Sequence, residues 1–421
     1  MSQSPITDEE ALAYHKEPRP GKVCITPTTA MQTQRDLSLA YTPGVAAPCL
    51  EIAKDASKAY DYTSKGNQVA VITNGTAVLG LGDIGAIASK PVMEGKAVLF
   101  KKFSGIDSVD IEVDTHNIDY FCDTVVAIAG TFGGINLEDI KAPECFEIER
   151  RLIERLPIPV MHDDQHGTAV ISAAGMINAC EITGRKLEDM KIVVVGAGAA
   201  AISCARLYRY MGVKKIYMID SKGIVHHKRD DLNEHKKEFV VEEICCEEDA
   251  FKDATMVIGL SRPGTFTTDH IKLMADNPIV FTLANPTPEI FPDDVKAVRP
   301  DAIIGTGRSD FPNQVNNVLG FPFIFRGALD VRARGINTEM KVAAAHALAN
   351  LAKQEVPEYL NEAYATKNLK FGRDYVIPKP FDKRLVVEVS SAVAQAAIDS
   401  GMSNMKDFDL ESYKKELVRR I

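Results

Sequence analysis

The chain has 421 residues, of which 45% are hydrophobic and 25% charged, and its formal net charge is −9 at pH 7. This composition is typical of a folded globular protein and excludes a disordered or collagen-like chain. The length predicts two or three structural units. The negative charge favours neither nucleic acid nor an anionic membrane surface as a partner, and the longest uncharged stretch, residues 66–82, is too polar to span a membrane.

The eight cysteines include no Cys-x-x-Cys pair. The first ten residues contain three acids and no hydrophobic segment of a secretory signal. We therefore expect free thiols in a reducing compartment rather than disulfides or a zinc site. These features predict a cytoplasmic protein.

The first third of the chain alternates short apolar strands with helical segments, which predicts an α/β unit with a largely parallel sheet. A second unit begins near Gly167 with a helix that ends before Gly184. Beyond Asn316 the pattern is mainly helical, and we expect these helices to pack back onto the first unit. The predicted strands lie at 69–73, 109–113, 158–161, 191–195, 215–219, 255–260, 279–283 and 302–304. The predicted helices lie at 93–103, 121–129, 143–156, 168–183, 317–331, 338–352 and 383–400.

The strand at 191–195 leads directly into a loop that opens a helix, Gly196-Ala197-Gly198-Ala199-Ala200-Ala201. In this G-x-G-x-x-A pattern the first glycine makes the tight turn, the second lets the backbone approach a pyrophosphate, and the final alanine lets the helix pack on the strand. The next strand ends at Asp220, where a ribose-binding acid is expected. The pattern predicts a Rossmann-type, doubly wound domain that binds a nicotinamide dinucleotide; the alternative is a tight turn in a non-binding α/β fold.

The predicted organisation is therefore an α/β chain of three parts. Residues 1–166 form a catalytic unit that holds the substrate and a metal, and residues 167–318 form the dinucleotide-binding unit. Residues 319–421 form C-terminal helices that return to the first unit.

Two pairs of adjacent acids, Glu138-Asp139 and Asp163-Asp164, fall at predicted strand ends. Ligands of α/β folds bind at the carboxyl ends of strands, and adjacent carboxylates are stable together mainly when a cation or a base lies between them. Carboxylate oxygens suit octahedral Mg²⁺ or Mn²⁺. The histidines that flank the second pair would suit a transition metal, but the oxygen-rich surroundings favour the hard cations. The alternative for each pair is a solvated loop.

Two further side chains each have two interpretations. Lys96 precedes an apolar segment and is either a surface residue or a partly buried amine whose lowered pKa would make it a base. Tyr41 stands at a Pro-Gly turn and either exposes its phenol to a cleft or packs in the core. The local pattern leaves both open.

Taken together, these segments resemble the malic enzymes, and specifically their bacterial NADP-dependent type. The resemblance runs from near residue 20 to beyond residue 380 and implies no appended phosphotransacetylase-like domain, since the sequence ends at Ile421. The resembling motifs, in chain order, are residues 38–46, 78–85, 91–96, 134–139, 162–169, 196–201, 283–286 and 313–318.

The resemblance implies oxidative decarboxylation of (S)-malate to pyruvate and CO₂ with reduction of NADP⁺. Lys96 matches the base that removes the C2 hydroxyl proton, Tyr41 the acid that protonates C3 of the enolate, and Asp163 a neighbour that hydrogen-bonds near the base. The nearby Mg²⁺ or Mn²⁺ is expected to lower the pKa of the lysine. The family also implies a homodimer or a larger homo-oligomer. The matching metal ligands are Glu138, Asp139 and Asp164, and the matching substrate and nicotinamide contacts are Lys96, Asn285 and Asn317.

Some features of the match stay open. Larger members carry an arginine that grips a malate carboxylate where this sequence has Ala77, so backbone groups near Thr76 or the asparagines are expected to replace it. Asp220 would favour NAD⁺ by accepting a ribose hydroxyl, whereas Lys222 and Arg229 would neutralise the 2′-phosphate of NADP⁺. We predict NADP, with NAD as the alternative. The alternative functions are an amino-acid-dehydrogenase-like enzyme, which would not need the acidic pairs, and a non-catalytic dinucleotide sensor.

Overall fold

The structure, a computed structural model, describes residues 6–78, 80–242 and 246–420. Leu79, part of the motif at 78–85, and Cys245 lie outside the described residues. Two mainly parallel sheets, each with helices packed against it, form the two units that the sequence predicts.

The chain begins with an amino-terminal arm, residues 6–62, whose four short helices contain no buried residue. Several of its large hydrophobic side chains are exposed, including Leu39 and Leu50. The arm therefore contributes little to the hydrophobic core of this chain. Its helices are α1 (Asp8–Lys16), α2 (Gln34–Ala40), α3 (Ala46–Lys54) and α4 (Ala59–Tyr62).

The first unit is a four-stranded parallel sheet. Its strands are β1 (Gln68–Thr73), β2 (Asp107–Glu112), β3 (Gly134–Leu137) and β4 (Val160–His162), in the order β2-β1-β3-β4. Its helices are α5 (Ala86–Ser104), α6 (Ile118–Ile128) and α7 (Glu144–Arg155). Strands β3 and β4 are fully buried, as expected for strands covered on both faces. Because Leu137 pairs with His162, the residues that follow these two strands begin side by side at one sheet edge.

A long helix, α8 (Asp163–Thr183), follows β4 and connects the two units. It ends at Gly184, whose backbone is left-handed (φ 69°), and the N–H of Arg185 donates to the carbonyl of Cys180 at 2.9 Å. The predicted glycine stop is thus confirmed, since only glycine adopts this conformation without strain.

The second unit is a six-stranded sheet whose described strands are all parallel except in a short terminal hairpin. Its strands are β5 (Lys191–Val195), β6 (Lys215–Asp220), β7 (Gly223–Ile224), β8 (Met256–Gly259), β9 (Ile279–Thr282) and β10 (Ile303–Thr306), in the order β10-β9-β8-β5-β6-β7. The strand order reverses between β5 and β8, which is where doubly wound folds bind their ligands. Its helices are α9 (Ala199–Tyr210), α10 (Glu234–Lys237), α11 (Glu247–Phe251), α12 (Thr268–Lys272) and α13 (Pro292–Val298).

Five helices complete the chain and return to the first unit, as the sequence predicts. They are α14 (Phe321–Asp330), α15 (Thr338–Lys353), α16 (Glu358–Ala363), α17 (Leu385–Asp399) and α18 (Leu410–Arg419). An aromatic cluster joins α14 to α5: the ring centroid of Phe100 lies 4.8 Å from that of Phe321 and 5.4 Å from that of Phe325. All three rings are buried, so this cluster fixes the C-terminal helices on the first sheet.

The predicted strands agree with the structure to within two residues at each end, whereas four predicted helices differ by more. Helix α6 begins at Ile118 rather than 121, because Asn117 caps its start. Helix α5 begins at Ala86 rather than 93 because Pro91 is accommodated inside it. Helix α8 begins at Asp163 rather than 168, so the second acidic pair lies in a helix rather than in a loop. The predicted helix at 317–331 is interrupted at Gly320, and Pro322 starts α14 anew. The division of the chain at 166 and 318 stays a prediction.

No helix among the described residues is long and apolar enough to cross a membrane. The seven described cysteines are all free thiols, which agrees with the prediction of no disulfides for this part of the chain.

Replacing Phe100 by alanine should lower the free energy of unfolding by about 3–5 kcal/mol, because it leaves a cavity in the aromatic cluster. Chemical denaturation followed by circular dichroism measures this loss. Tyr120→Ala, on an exposed position of α6, is the control and should change stability by less than about 0.5 kcal/mol. Equal effects of the two substitutions would contradict a structural role for the cluster.

Candidate active site

Lys96 lies at the centre of a buried charged cluster in the first unit. Its Nζ donates to Asp163 Oδ2 at 2.6 Å and lies 2.9 Å from Glu138 Oε1. The ammonium also lies 4.2 Å from the ring centroid of Phe321, a favourable cation–π distance. Only 11% of the lysine side chain is exposed. The local sequence left open whether Lys96 is a surface residue; the structure buries it.

Three carboxylates next to Lys96 form a second group, the carboxylate triad, of Glu138, Asp139 and Asp164. One ligand oxygen from each lies within 4.8 Å of the others. Two further contacts orient the triad: the N–H of Asp139 donates to Asp164 Oδ2 at 2.8 Å, and Asn136 Nδ2 donates to Glu138 Oε2 at 2.8 Å. An all-oxygen set of this kind fits a hard divalent cation such as Mg²⁺ or Mn²⁺.

The elements explain why these side chains converge. Glu138 and Asp139 follow β3, and Asp139 turns the chain with a left-handed backbone (φ 52°), which aspartate tolerates better than most residues. Asp163 and Asp164 occupy the first turn of α8, where the helix dipole favours negative charge. Lys96 reaches them from the middle of α5.

The electrostatics of the cluster are strongly coupled. Burial raises the pKa of Glu138 well above its usual value, and Asp164 and Asp163 add to this against the opposing charge of Lys96. Burial also raises the pKa of Asp163. Burial alone would lower the pKa of Lys96, but the charges of Asp163, Glu138 and Asp164 outweigh it, so the lysine pKa is raised.

The lowered pKa expected for Lys96 requires Mg²⁺ or Mn²⁺ beside it and stays a prediction, whereas the charges of the protein alone raise the pKa. The reason is that Glu138 and Asp164, two of the three carboxylates that hold the proton on the amine, are also members of the triad. A divalent cation on those oxygens would compensate their charge and remove their effect on the lysine. The lysine pKa therefore depends on the cation rather than on the lysine's own segment.

A buried glutamate anchors the start of α8. Glu149, on α7, accepts the N–H of His162 at 2.8 Å and pairs with His166 Nε2 at 2.9 Å. The ring of His162 is fully buried, and its Nδ1 lies 3.7 Å from Asp164 Oδ2. These contacts hold the helix turn that carries Asp163 and Asp164.

Asn317 lies against the same helix turn. Its Oδ1 accepts a hydrogen bond from Thr168 Oγ1 at 3.1 Å. Gly167 leaves space for both Asn317 and Asp163. A Cβ at this position would lie 3.0 Å from Asn317 Cγ and would collide with Asp163 Oδ1. The structure thus brings Asn317 beside the lysine cluster, as the sequence motif predicts for a substrate contact.

Other predicted residues lie farther from this cluster. Tyr41 ends α2 in the amino-terminal arm, is 69% exposed, and its phenol makes no hydrogen bond to any described residue. Asn285 follows β9; its carbonyl oxygen would lie 3.6 Å from a Cβ placed on Gly80, so the loops of the two units meet there. The N–H of Ala77 donates to the carbonyl of Asp139 at 3.0 Å, which places the predicted carboxylate-binding segment next to the triad.

The loop at 196–201 has the shape needed for a dinucleotide. Gly196 has φ 121°, and a Cβ there would lie 2.5 Å from the carbonyl oxygen of Leu260, so only glycine fits. A Cβ on Gly198 would meet nothing within 4 Å, and this residue precedes α9 without a side-chain cap. Open space beside the uncapped N–H groups of α9 fits a pyrophosphate.

The predicted residues for the adenosine ribose lie after β6. Asp220 is the last residue of the strand, and Arg229 Nη1 and Nη2 donate to its two oxygens at 2.8 and 2.9 Å. Lys222 is 65% exposed and pairs with Asp231 Oδ2 at 2.8 Å. Arg229 also pairs with Asp231 at 2.8 Å and is 9% exposed. Lys222 therefore faces solvent, whereas Arg229 is held by the protein.

Comparison with known proteins agrees with this arrangement. Residues 20–153 match the model of the malic enzyme N-terminal domain, and residues 165–363 match that of the malic enzyme NAD binding domain. The chain belongs to the malic enzyme family. The resemblance inferred from the motifs is confirmed, and so is the prediction of an enzyme.

Individual malic enzymes support the same conclusion. The chain is 58% identical to the NADP-dependent malic enzyme of Halomonas elongata over 94% of both chains. It is 52% identical to the NAD-dependent malic enzyme of Rhizobium meliloti over 98% of this chain and 54% of that protein, so it spans about half the length of that relative. The malic enzyme structure from Pyrococcus horikoshii matches with a TM-score of 0.89 at 41% identity, over 98% of this chain and 95% of that chain. The predicted α/β fold is thus confirmed.

Sequence reasoning missed several residues that shape the site. Phe321 contacts Lys96 from a helix far along the chain, Asn136 orients Glu138, and Glu149 anchors α8. None lies in a pattern that predicts its partner. Asn136 stands two residues before the first acidic pair in a resembling motif, which is the one signal available.

Replacing Gly167 by alanine should leave α8 intact, because alanine favours a helix by about 1 kcal/mol over glycine. The new Cβ would displace Asp163 from Lys96, and a misplacement of roughly 1 Å at such a site costs about 100-fold in rate. We expect kcat with malate to fall by about that factor. The melting temperature should fall as well, because moving Asp163 away from Lys96 weakens a buried ion pair, while the helical circular dichroism signal is retained.

Gly130→Ala is the matched control, since its Cβ would meet no atom within 4 Å. Wild-type kcat in Gly167→Ala would show that malate turnover does not require Asp163 at its observed position.

Proposed function

We propose that this malic enzyme oxidatively decarboxylates (S)-malate to pyruvate and CO₂ with NADP⁺ as the hydride acceptor and Mg²⁺ or Mn²⁺ as the metal. The observation that carries the proposal is the contact of Lys96 with Asp163 and Glu138, directly beside the carboxylate triad. An amino-acid-dehydrogenase-like enzyme or a dinucleotide sensor would leave this arrangement without a role.

Two sets of residues in this chain would hold the metal and the cofactor. Glu138, Asp139 and Asp164 would hold the divalent cation, and the loop at 196–201 would hold the cofactor pyrophosphate. When bound, the cation supplies a Lewis acid for the developing negative oxygen and NADP⁺ accepts the hydride from C2 of malate.

Lys96 removes the proton of the C2 hydroxyl in this proposal. Asp163 and Glu138 hold its amine in place, because each accepts from or pairs with Nζ within 2.9 Å. Phe321 covers the amine and excludes water from it. Asn317, beside Asp163, contacts the substrate, and Asn285 contacts the substrate and the nicotinamide side.

Tyr41 supplies the proton to C3 of the enolate. Since its phenol has no hydrogen-bond partner among the described residues and the arm that carries it buries none of its helical residues, we infer that a second copy of the chain covers the arm. Exposed apolar side chains such as Leu39 and Leu50, both 61% exposed, support a homo-oligomeric interface there. In such a homodimer Tyr41 would complete the site of the partner subunit.

NADP rather than NAD is proposed because a relative of matching length, that of Halomonas elongata, is named NADP-dependent and because Lys222 is exposed after β6. The positive charge of a lysine at this position attracts a 2′-phosphate. For a ribose hydroxyl, an acidic side chain would be the better hydrogen-bond partner. The free cysteines support the further proposal that the enzyme works in the cytoplasm.

Replacing Asp164 by alanine should abolish malate turnover, because it removes one of three metal ligands. Absorbance at 340 nm with malate, NADP⁺ and Mn²⁺ measures turnover. The affinity for Mn²⁺ should fall by more than about tenfold, whereas NADPH binding, measured by fluorescence, should be nearly unchanged, since the dinucleotide loop lies in the second unit.

Asp114→Ala, an exposed acid of the same unit, is the control and should behave as wild type. Turnover by Asp164→Ala at the wild-type rate after chelation of metal would make the metal assignment wrong. A wild-type enzyme that forms no NADPH from malate would overturn the proposed reaction itself.

Mixing two inactive variants tests the role of Tyr41. Lys96→Ala should block malate oxidation, and Tyr41→Phe should block C3 exchange of pyruvate with deuterated water. If Tyr41 serves the partner subunit, subunits exchanged at equal amounts should regain about a quarter of the wild-type sites, because half of the dimers then pair the two variants. No recovery after verified subunit exchange would place Tyr41 in the site of its own chain, and full exchange activity of Tyr41→Phe alone would remove it from the mechanism.

A further inference from the structure

The carboxylate of Asp220 has no hydrogen-bond acceptor position left for a ribose hydroxyl. Its Oδ1 accepts the N–H of Lys222 at 2.9 Å and Arg229 Nη1 at 2.8 Å. Its Oδ2 accepts Arg229 Nη2 at 2.9 Å and Lys236 Nζ at 2.6 Å. A carboxylate offers about four acceptor positions, so the protein itself fills them all.

Two cations therefore neutralise a side chain that is only 6% exposed. Burial would raise the pKa of Asp220, but the hydrogen bonds from Arg229, Lys236 and the backbone of Lys222 outweigh it and lower the pKa to about 2. The carboxylate is therefore charged at neutral pH, and the two cations pair its charge.

Lys236 is placed for this contact by its own element. It lies on α10, and its N–H donates to the Oδ1 of Asn233, which caps the helix, at 2.9 Å. Its side chain is 22% exposed. The neighbouring Lys237 is exposed and has no ion pair within the described chain. Of these two adjacent lysines, only Lys236 is directed at Asp220.

The charges around the strand end are unequal. Three cations, Lys222, Arg229 and Lys236, face two carboxylates, Asp220 and Asp231, through direct ion pairs. One positive charge is left over. Arg229 and Lys236 are largely buried, so the surplus is presented to solvent by Lys222.

We propose that Lys236 determines cofactor specificity, together with Arg229, by occupying and neutralising Asp220 so that this acid neither binds the ribose 2′-hydroxyl of NAD⁺ nor repels a 2′-phosphate. Neither cation is a phosphate ligand in this arrangement; both are positioning residues. The inference rests on the proposed use of NADP and adds a residue that the dinucleotide motif does not include. Without Lys236 the network of these ion pairs is neutral, and Asp220 Oδ2 gains a free acceptor position at the end of β6, where the ribose is expected.

Binding of the two adenosine halves tests this without turnover. The probes are 2′,5′-ADP, which carries the phosphate, and 5′-AMP, which carries the hydroxyl, each titrated calorimetrically into the full-length enzyme. In Lys236→Met we expect the preference for 2′,5′-ADP over 5′-AMP to fall roughly tenfold or more, because the less compensated Asp220 charge opposes the 2′-phosphate and its freed oxygen accepts the hydroxyl. Lys237→Met, on the same helix, should keep the wild-type preference.

The second variant separates charge from folding. Lys236→Met combined with Asp220→Ala removes the carboxylate that has lost its lysine partner, and the preference for 2′,5′-ADP should return to the wild-type value or exceed it. An unchanged preference in Lys236→Met, or no recovery in the double variant at an unchanged melting temperature, would overturn the inference. A wild-type enzyme that binds 5′-AMP as well as 2′,5′-ADP would instead overturn the proposed use of NADP.

Discussion

The structure depends on keeping one lysine ammonium charged and buried beside carboxylates. Lys96 sits in α5 with little access to water, and the opposite charges that it requires come from Glu138 after β3 and Asp163 at the start of α8. Removing one partner of such a buried ion pair costs about 3–5 kcal/mol, because it leaves the other charge uncompensated. The relative positions of α5, β3 and α8 are therefore fixed by electrostatics as well as by the apolar core.

The parallel sheet is what makes this arrangement possible. Adjacent strands β3 and β4 end at the same edge, so the acids that follow them meet without any long loop. Helix α8 begins at that edge, and its first turn adds two carboxylates where its dipole favours them. Glu149 then holds this turn from α7. The oxygens of the carboxylate triad must lie within a few ångströms of one another. Rigid elements rather than mobile ones therefore hold them.

Both units surround one buried charged side chain with side chains of opposite charge, and the signs of the charges are reversed between them. In the first unit buried carboxylates surround one lysine, and a divalent cation would rebalance an excess of negative charge. In the second unit Arg229 and Lys236 surround Asp220, and the balance is left slightly positive. Each centre thus carries uncompensated charge of the sign opposite to that of its proposed ligand. Such incomplete compensation is a general way to bind a charged ligand without the cost of leaving an isolated buried charge.

The sequence by itself determined eight of the ten described strands, the glycine turn at Gly196, the two acidic pairs and the family, because each of these is encoded within a few consecutive residues. It also indicated which side chains belong to the site. Only the tertiary structure decided that Lys96 is buried, that Phe321 from a distant helix covers it, and that Tyr41 stands apart on an exposed arm. The physical reason is that burial and ion pairing depend on neighbours remote along the chain. For the same reason the sequence did not predict the contact between Lys236 and Asp220. This contact depends on how the segment after β6 folds back, and the residues next to either partner in the sequence do not indicate it.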